Sequence, residues 1–248
     1  QALARHTRTP PWTLFYYRLV GDPTFCWFLA MSQGSRVWWR DVPEEIPLRN
    51  WEINHETLWT QTRPLANVGI LYSEWTPNLN SKQMQSISMV DGWYALGGLC
   101  DAFTEKSFPY RIVIEQDFLQ REGPGVDVLF AMNVASLPME TVEGLIRFVK
   151  NGGVLISSGD ISLYDTASNR RSDFLLSSVL GVSLKQRIEN RRNKLLIDQP
   201  NELTGDLTGE WDHNRPFNEV VLRPGAKTVG VMQTDQGKRY PGIVINSF

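Results

Sequence analysis

The middle of the chain alternates between short apolar runs and longer segments with helical periodicity. Two helices are predicted, one over about 81–106 and one over 137–153. Four runs rich in Val, Ile and Leu flank them, as buried parallel strands do: NVGILYS (67–73), YRIVIE (110–115), VDVLFAMN (126–133) and GVLISS (153–158). Strands separated by helices pair in parallel through right-handed crossovers. The pattern therefore predicts an α/β domain with a doubly wound sheet.

The segment LPMETVEGLIRFVKNGG (137–153) is the clearest helix of the chain. Pro138 suits its first turn, apolar residues recur along one face, and Gly152 ends it. In the helix predicted over 81–106, we expect the pair Gly97-Gly98 to let the helix approach the sheet closely.

The pattern changes towards the C-terminus. One more short helix is predicted over 170–182. Beyond it, strand-like runs follow one another with Gly, Pro and Asn turns and without helical intervals: VSLKQRIEN, NKLLID, FNEVVLRP, KTVGVMQT and YPGIVINSF. We expect this tail to add antiparallel strands to the sheet edge or to form a small β layer.

Residues 1–62 have a composition of their own, because six of the nine tryptophans fall in this quarter of the chain. WTLFYYRLV (12–20) and SRVWW (35–39) are typical of strands, and DPTFCWFLAMSQG (22–34) has helical spacing. This order predicts one βαβ unit, which is too little to close a barrel alone. A further helix is predicted around 51–61, within an irregular, proline-containing connection.

Composition and charge exclude several classes of partner. The 248 residues are 42% hydrophobic and 21% charged, as in an ordinary globular protein with one large or two modest domains. The net charge of −2 is spread without a basic face, so we expect neither nucleic acid nor a membrane surface as a partner. The chain begins without Met and stops inside a predicted strand, so we expect both ends to be cuts in a longer chain. The composition indicates no cellular compartment.

The stretches VGILYSEWT, PYRIVIEQDFL, VDVLFAMNVASLPMETVEGLIRFVKNGGVLISSGDISLYD and SDFLLSSVLGV resemble the amidotransferase-like domain that follows the catalytic barrel in certain glycoside hydrolases. Among such domains, the chain is similar to the trimerisation domain of barrel-type beta-galactosidases. The similarity covers about residues 66–185 and is strongest at 127–155.

This resemblance implies a flavodoxin-like or class I amidotransferase-like domain over residues 63–248, with a β-rich tail. It also implies that residues 1–62 are the end of an incomplete (β/α) barrel plus a linker, and that the parent is a homo-oligomeric glycoside hydrolase. The catalytic carboxylates of such enzymes lie on barrel strands that would be mostly upstream. No catalytic residue is therefore assigned to this chain.

Ser157 and Ser158 end the fourth predicted strand, where related α/β enzymes hold a nucleophile. A G-x-S-x-G turn centred on Ser157 would need glycine where this chain has Leu155, and both glycines are missing around Ser158. A serine hydrolase or amidotransferase-like enzyme nevertheless stays an alternative, which requires a strained backbone at one serine and His213 within hydrogen-bond reach. Otherwise Ser157, Ser158 and Asp160 satisfy hydrogen bonds of loops and helix ends.

Glu74 and Trp75 follow the first strand of the sheet, at the edge where ligands of open α/β sheets gather. A carboxylate and an indole hold sugars through hydroxyl hydrogen bonds and ring stacking. The predicted substrate-binding residues are Glu74, Trp75, Ser157, Ser158 and Asp160. A solvated glutamate and a packed tryptophan are the other interpretation of the first two.

No cofactor and no metal are predicted, since the sequence has no glycine-rich phosphate loop after the first strand and no calcium or zinc spacing. The sequence therefore predicts a non-catalytic structural and oligomerisation domain of a carbohydrate-active glycoside hydrolase, with a carbohydrate as its expected ligand. A carbohydrate-binding module that uses the tryptophan-rich segment is a further alternative.

Overall fold

The computed structural model describes residues 43–60, 65–77, 89–120 and 123–247, together with residues 12, 13, 24, 27, 30, 31, 36 and 37. The chain divides into two compact units, Gln1–Ala66 and Asn67–Phe248. Among the described residues, no helix has the length and apolar character needed to cross a bilayer.

The described part of the first unit includes a parallel pair of short strands, β1 (Trp12–Thr13) and β2 (Arg36–Val37). The described residues between them, Thr24, Trp27, Ala30 and Met31, are all helical. This strand, helix, strand order agrees with the predicted βαβ unit. The remaining residues of the predicted strands and helix, including Trp38 and Trp39, lie outside the described residues.

The described part of the first unit also contains the helices α1 (Ile46–Asn54) and α2 (Glu56–Thr60), where the sequence predicts one helix around 51–61. Pro47 lies in the first turn of α1, where a missing N–H costs no hydrogen bond. Trp27 is buried, and its ring meets that of Trp51 edge to face at 5.2 Å. At least these two tryptophans therefore contribute to packing.

The second unit is built on a four-stranded parallel sheet, which confirms the predicted α/β class. In chain order its elements are β3 (Val68–Leu71), α3 (Met89–Glu105), β4 (Arg111–Val113), a 3-10 helix (Glu115–Phe118), β5 (Val128–Met132), α4 (Met139–Lys150) and β6 (Val154–Ser158). The strands pair in the order β4-β3-β5-β6. Residues 81–88 of the helix predicted over 81–106 lie outside the described residues.

One close helix contact of this unit lies at a position that the sequence analysis did not identify, Gly144 of α4. A Cβ added to Gly144 of α4 would lie 2.6 Å from Phe118 Cβ, so α4 approaches the 3-10 helix as closely as a glycine permits. The expectation of a close approach at Gly97 and Gly98 is wrong, because a Cβ at either position meets no described atom within 4 Å. Gly98 lies on an exposed part of α3.

The tail forms a separate β layer rather than an extension of the parallel sheet. Its elements are α5 (Ser177–Leu180), β7 (Val182–Ile188), β8 (Asn193–Ile197), β9 (Gly209–His213), β10 (Phe217–Leu222), β11 (Lys227–Thr234) and β12 (Arg239–Ile245). Strands β7 and β10 form an antiparallel pair, and the other four form an antiparallel sheet in the order β12-β11-β8-β9.

The helix predicted over 170–182 is reduced to the four residues of α5. One carboxylate oxygen of Asp173 accepts hydrogen bonds from the backbone N–H of Phe174, at 2.8 Å, and of Leu184, at 2.7 Å. This carboxylate holds the preceding segment to the start of β7. Gly181, with φ +70°, ends the helix in the left-handed conformation.

Candidate functional site at the carboxyl edge of the parallel sheet

The strand order reverses between β3 and β5, since β4 lies on one side of β3 and both β5 and β6 on the other. In open α/β sheets, the crevice at the carboxyl ends of the two strands that flank this point is the usual ligand site. Four segments come to this edge: 72–77 after β3, 114–118 after β4, 133–138 after β5 and 159–165 after β6.

Hydrogen bonds of hydroxyl groups connect three of these segments. The buried Ser73 hydroxyl donates to the Ser136 carbonyl at 2.9 Å and accepts from the Trp75 N–H at 3.2 Å. The Ser136 N–H donates to Thr76 Oγ1 at 3.2 Å, and the Ser136 hydroxyl donates to the Asp165 carbonyl at 2.9 Å. The loop after β3 is thereby fixed over the end of β5.

Glu115 anchors the same loop from the other side. Its Oε1 accepts the backbone N–H of Glu74 at 3.0 Å, and its Oε2 is buried with no hydrogen-bond partner among the described residues. The side chain is only 7% exposed, and this burial is the main cause that raises the pKa of Glu115. Hydrogen bonds from backbone N–H groups, that of Glu74 among them, favour the charged form and oppose this rise in pKa.

The loop presents the two side chains that the sequence singled out. Glu74 and Trp75 are both exposed, Trp75 to 40%, while their backbone N–H groups are bound to Glu115 and Ser73. The predicted pair therefore lies on the surface of a loop whose backbone is held from below. An exposed indole on a fixed loop is suited to stacking on a sugar ring.

Ser157 and Ser158 lie within β6, half-buried, and pair with Ala131 and Met132 of β5. Neither has a positive φ; the left-handed residues nearby are Asn133 and Gly159. The Ser158 hydroxyl lies 3.9 Å from Met132 Sδ, to which it donates. The strained turn that a serine nucleophile needs is not found at either position.

The histidine required by the serine-hydrolase alternative lies elsewhere. His213 ends β9 and pairs with Asn193 in the antiparallel sheet. In the part of the chain that the structure describes, no hydrogen bond joins His213 to Ser157 or Ser158.

Asp160 joins the parallel sheet to the β layer. It is 3% exposed, and its Oδ1 accepts Asn218 Nδ2 at 2.7 Å and pairs with Arg187 Nη1 at 3.4 Å. Its backbone N–H donates to Asn133 Oδ1 at 3.1 Å. Arg187 belongs to β7 and Asn218 to β10, so this carboxylate ties the end of β6 to both strands.

The structure thus brings Glu74 and Trp75 together with a set of residues that sequence reasoning did not single out, namely Ser73, Thr76, Glu115 and Ser136. Their only signal in the sequence is that each ends a predicted strand or follows closely after one. Across the described residues, no group of three or more His, Cys, Asp or Glu side chains could hold a metal ion.

A cavity of about 290 Å³ lies at the opposite edge of the sheet and contains none of the predicted site residues. Phe118, Asp127, Arg147 and Gly153 are among the residues that line it. Asp127 and Arg147 are exposed there, so this surface has no buried charged group to fix a ligand.

Comparison with protein-family models and with curated proteins finds no match. Solved structures do match. A catalytic mutant of a GH42 beta-galactosidase from G. stearothermophilus has a TM-score of 0.63 and 18% identity, over 84% of this chain and 30% of that one. The beta-galactosidase from Bacillus circulans sp. alkalophilus has a TM-score of 0.59 and 15% identity, over 85% of this chain and 31% of its own. The alpha-L-fucosidase isoenzyme 2 from Paenibacillus thiaminolyticus has a TM-score of 0.59 and 14% identity, over 91% of this chain and 35% of that one.

The chain spans about a third of the length of these structures. At such low identity the likeness shows a shared fold rather than a shared activity. The chain therefore has the fold of a segment that occurs within several glycoside hydrolases.

Proposed function

We propose that this chain is a non-catalytic structural domain of a carbohydrate-active glycoside hydrolase and that its parent is a homo-oligomer. Residues 63–248 would be the flavodoxin-like or amidotransferase-like domain, and residues 1–62 the end of the preceding barrel with its linker. Numbered from β3, the strand order is 2-1-3-4, which supports the flavodoxin-like assignment.

The observation that carries the non-catalytic role is that Ser73, Ser136 and Asp160 at the carboxyl edge are engaged in hydrogen bonds within the chain. Ser73 and Ser136 bridge neighbouring loops, and Asp160 is bound to Arg187 and Asn218. A serine or cysteine nucleophile needs a base within reach of its hydroxyl or thiol. Ser158 has a thioether beside it instead of an imidazole.

The exposed pair Glu74 and Trp75 supports a role at the edge of a sugar site in the parent enzyme. Their loop is fixed by Ser73 and Glu115, so the indole loses little conformational freedom when it stacks on a ligand. The same loop would supply a sugar contact without any catalytic group.

The non-catalytic role is tested on the chain itself with nitrophenyl esters and nitrophenyl glycosides. We expect no turnover above the uncatalysed rate. Ester hydrolysis that Ser157→Ala or Ser158→Ala abolishes would overturn the proposal in favour of the serine-hydrolase alternative. Light scattering on the intact parent should give a multiple of the protomer mass, and a monomer at every concentration would contradict the oligomeric part.

The sugar contact is tested by affinity electrophoresis of the parent in gels that contain galactan or mannan. We expect Trp75→Ala to reduce the retardation. Trp211→Ala is the matched control, because Trp211 is 39% exposed and Trp75 40%. Equal retardation of both variants and the wild type would show that Trp75 does not contact the sugar.

A further inference from the structure

Thr234, Asn193 and His213 form a row across three neighbouring strands of the antiparallel sheet. Asn193 in β8 lies directly opposite Thr234 of β11 and directly opposite His213 of β9. Side chains at such opposite positions point to the same face of a sheet, and neighbouring strands lie about 4.8 Å apart. The row therefore places a hydroxyl, an amide and an imidazole side by side.

Each member of the row has a buried polar atom without a hydrogen-bond partner among the described residues: Thr234 Oγ1, Asn193 Oδ1 and His213 Nε2. Thr234 is 6% exposed and Asn193 is 2% exposed. Nearly all buried polar atoms in folded proteins are bonded to protein or to water. Three such atoms lie here at directly opposite positions of neighbouring strands.

The contacts of Asn193 fix which end of its amide enters the row. Its Nδ2 donates to the carbonyl of Asn190 at 2.7 Å and to that of Arg215 at 2.9 Å. Only the amino end of an amide can serve two carbonyls. Oδ1 is therefore the end of the amide that is left for another partner, and it can only accept.

The proton of His213 can be placed in a similar way. Burial lowers the pKa of His213, which favours the neutral ring, and a hydrogen bond with the backbone of Pro216 partly opposes this. Proline has no N–H, so its carbonyl must accept from a ring nitrogen. Because Nε2 has no partner, the donor is Nδ1, and Nε2 is left as an acceptor.

Two acceptors on adjacent strands cannot bond to each other, whereas one molecule that donates twice would satisfy both. We propose that the row binds one buried water molecule, which donates to Asn193 Oδ1 and His213 Nε2 and accepts from the Thr234 hydroxyl. Three hydrogen bonds are typical of a buried water. A metal cation fits less well, since the row offers one imidazole and no carboxylate or thiolate.

This water would fix the register of the edge strand β9. Its residues Gly209–Asp212 are all exposed, so β9 lacks the apolar alternation that normally sets register. A slip by one residue would turn His213 to the other face and leave the acceptor of Asn193 without its bridge. The polar row would therefore set the register of β9 as a hydrophobic face does in other strands. The ion pair between Lys194 and Glu210 joins the same two strands.

The wild-type chain provides the direct test by NMR. We expect cross-relaxation between a long-lived water and the protons of this row, and a long-range proton–nitrogen spectrum with His213 protonated on Nδ1. The absence of such a water, a direct bond from the Thr234 hydroxyl to Asn193 Oδ1, or a proton on Nε2 would each overturn the proposal.

Thr234→Val, which removes the hydroxyl at nearly constant shape, tests the consequence for register. We expect it to weaken the water signal and to speed hydrogen exchange of the β9 amides. Thr228→Val is the matched control, since Thr228 lies exposed on the same strand. Equal exchange of β9 in both variants would show that the row does not hold this strand, and if Thr234→Val does not fold, the wild-type spectra decide.

Discussion

Glu115 is a carboxylate held where its charge is poorly solvated. Burial raises its pKa above the unfolded value, so the folded state binds the proton more tightly than the unfolded state does. The protonated Glu115 side chain therefore contributes stability that is fully present below its pKa in the unfolded chain. This contribution is lost as the pH rises through its pKa in the folded chain. At neutral pH the buried charge is a cost to the fold.

We therefore expect Glu115→Gln to change the pH dependence of stability. The amide oxygen can still accept the Glu74 N–H, while the buried charge is gone. The free energy of unfolding of the variant, relative to the wild type, should increase from about pH 4 to pH 7. Urea unfolding across this range measures it, with the exposed Glu143→Gln as a control that should follow the wild type. A constant difference at every pH would contradict the expectation.

Asp160 illustrates the opposite case, a buried carboxylate with good partners. Asp160→Ala removes the acceptor of Asn218 Nδ2 and the partner of Arg187, and we expect it to lower the free energy of unfolding by about 2–3 kcal/mol. Glu189→Ala removes another carboxylate from the same arginine, at 3.2 Å but 70% exposed. Glu189→Ala should lower the free energy of unfolding by less than about 1 kcal/mol. Similar losses in the two variants would mean that burial does not decide the strength of these contacts.

Sequence reasoning could find the segment of the candidate site but not the direction of its side chains. The end of the first strand of the sheet pointed to Glu74 and Trp75, which lie on the outside of the loop, whereas the buried neighbours Ser73 and Glu115 fix it. Which residue turns inward depends on contacts between loops about 40 and 60 residues apart in the chain. Local pattern carries no information on such contacts.

Two glycines in helices should respond to alanine in opposite ways. In α4 a Cβ at Gly144 would lie 2.6 Å from Phe118 Cβ. Gly144→Ala must therefore move α4 away from the 3-10 helix, and we expect it to lower the free energy of unfolding by about 1–3 kcal/mol. In α3 a Cβ at Gly98 meets no described atom within 4 Å. Gly98→Ala should therefore raise the free energy of unfolding by about 0.5–1 kcal/mol, because alanine has the higher helix propensity. Chemical unfolding of both variants measures the two changes, and a loss in both would indicate that α3 packs closely at Gly98.

The elements with strong periodicity were predictable, and those held by single contacts were not. The four parallel strands and α4 lie within their predicted ranges, because burial on both faces or on one stripe leaves a clear apolar pattern. Strand β9 was missed, since its sequence GEWDH has no such pattern. The helix over 170–182 was predicted too long. The hydrogen bond from the Leu184 N–H to the Asp173 carboxylate, which holds the start of this segment, cannot be inferred from the spacing of apolar residues.

The arrangement of the second unit depends on pairings between distant segments. The tail could be identified as β-rich, but its separation into a β7–β10 pair and a four-stranded sheet could not. Polar contacts rather than strand pairing join the β layer to the parallel sheet at Asp160, with Arg187 and Asn218 as partners. A buried polar contact of this kind favours one arrangement over others, because any alternative leaves a buried charge unpaired.

The two units each have a hydrophobic cluster of their own, and this predicts unfolding in more than one step. Among the described residues, Trp27 and Ala30 form a cluster in the first unit, with Met31 and Leu48 against it, and a separate cluster lies in the second unit. The first unit, Gln1–Ala66, is much shorter than the second, Asn67–Phe248, and a short unit buries a smaller fraction of its surface on folding, so we expect the first unit to unfold first. Six of the nine tryptophans lie in residues 1–62, whereas most strands lie in the second unit. Tryptophan fluorescence should therefore change at a lower urea concentration than far-UV circular dichroism, and Asp160→Ala should move only the later transition. Coincident transitions from both probes, shifted together by this variant, would instead show that the chain unfolds as one cooperative body.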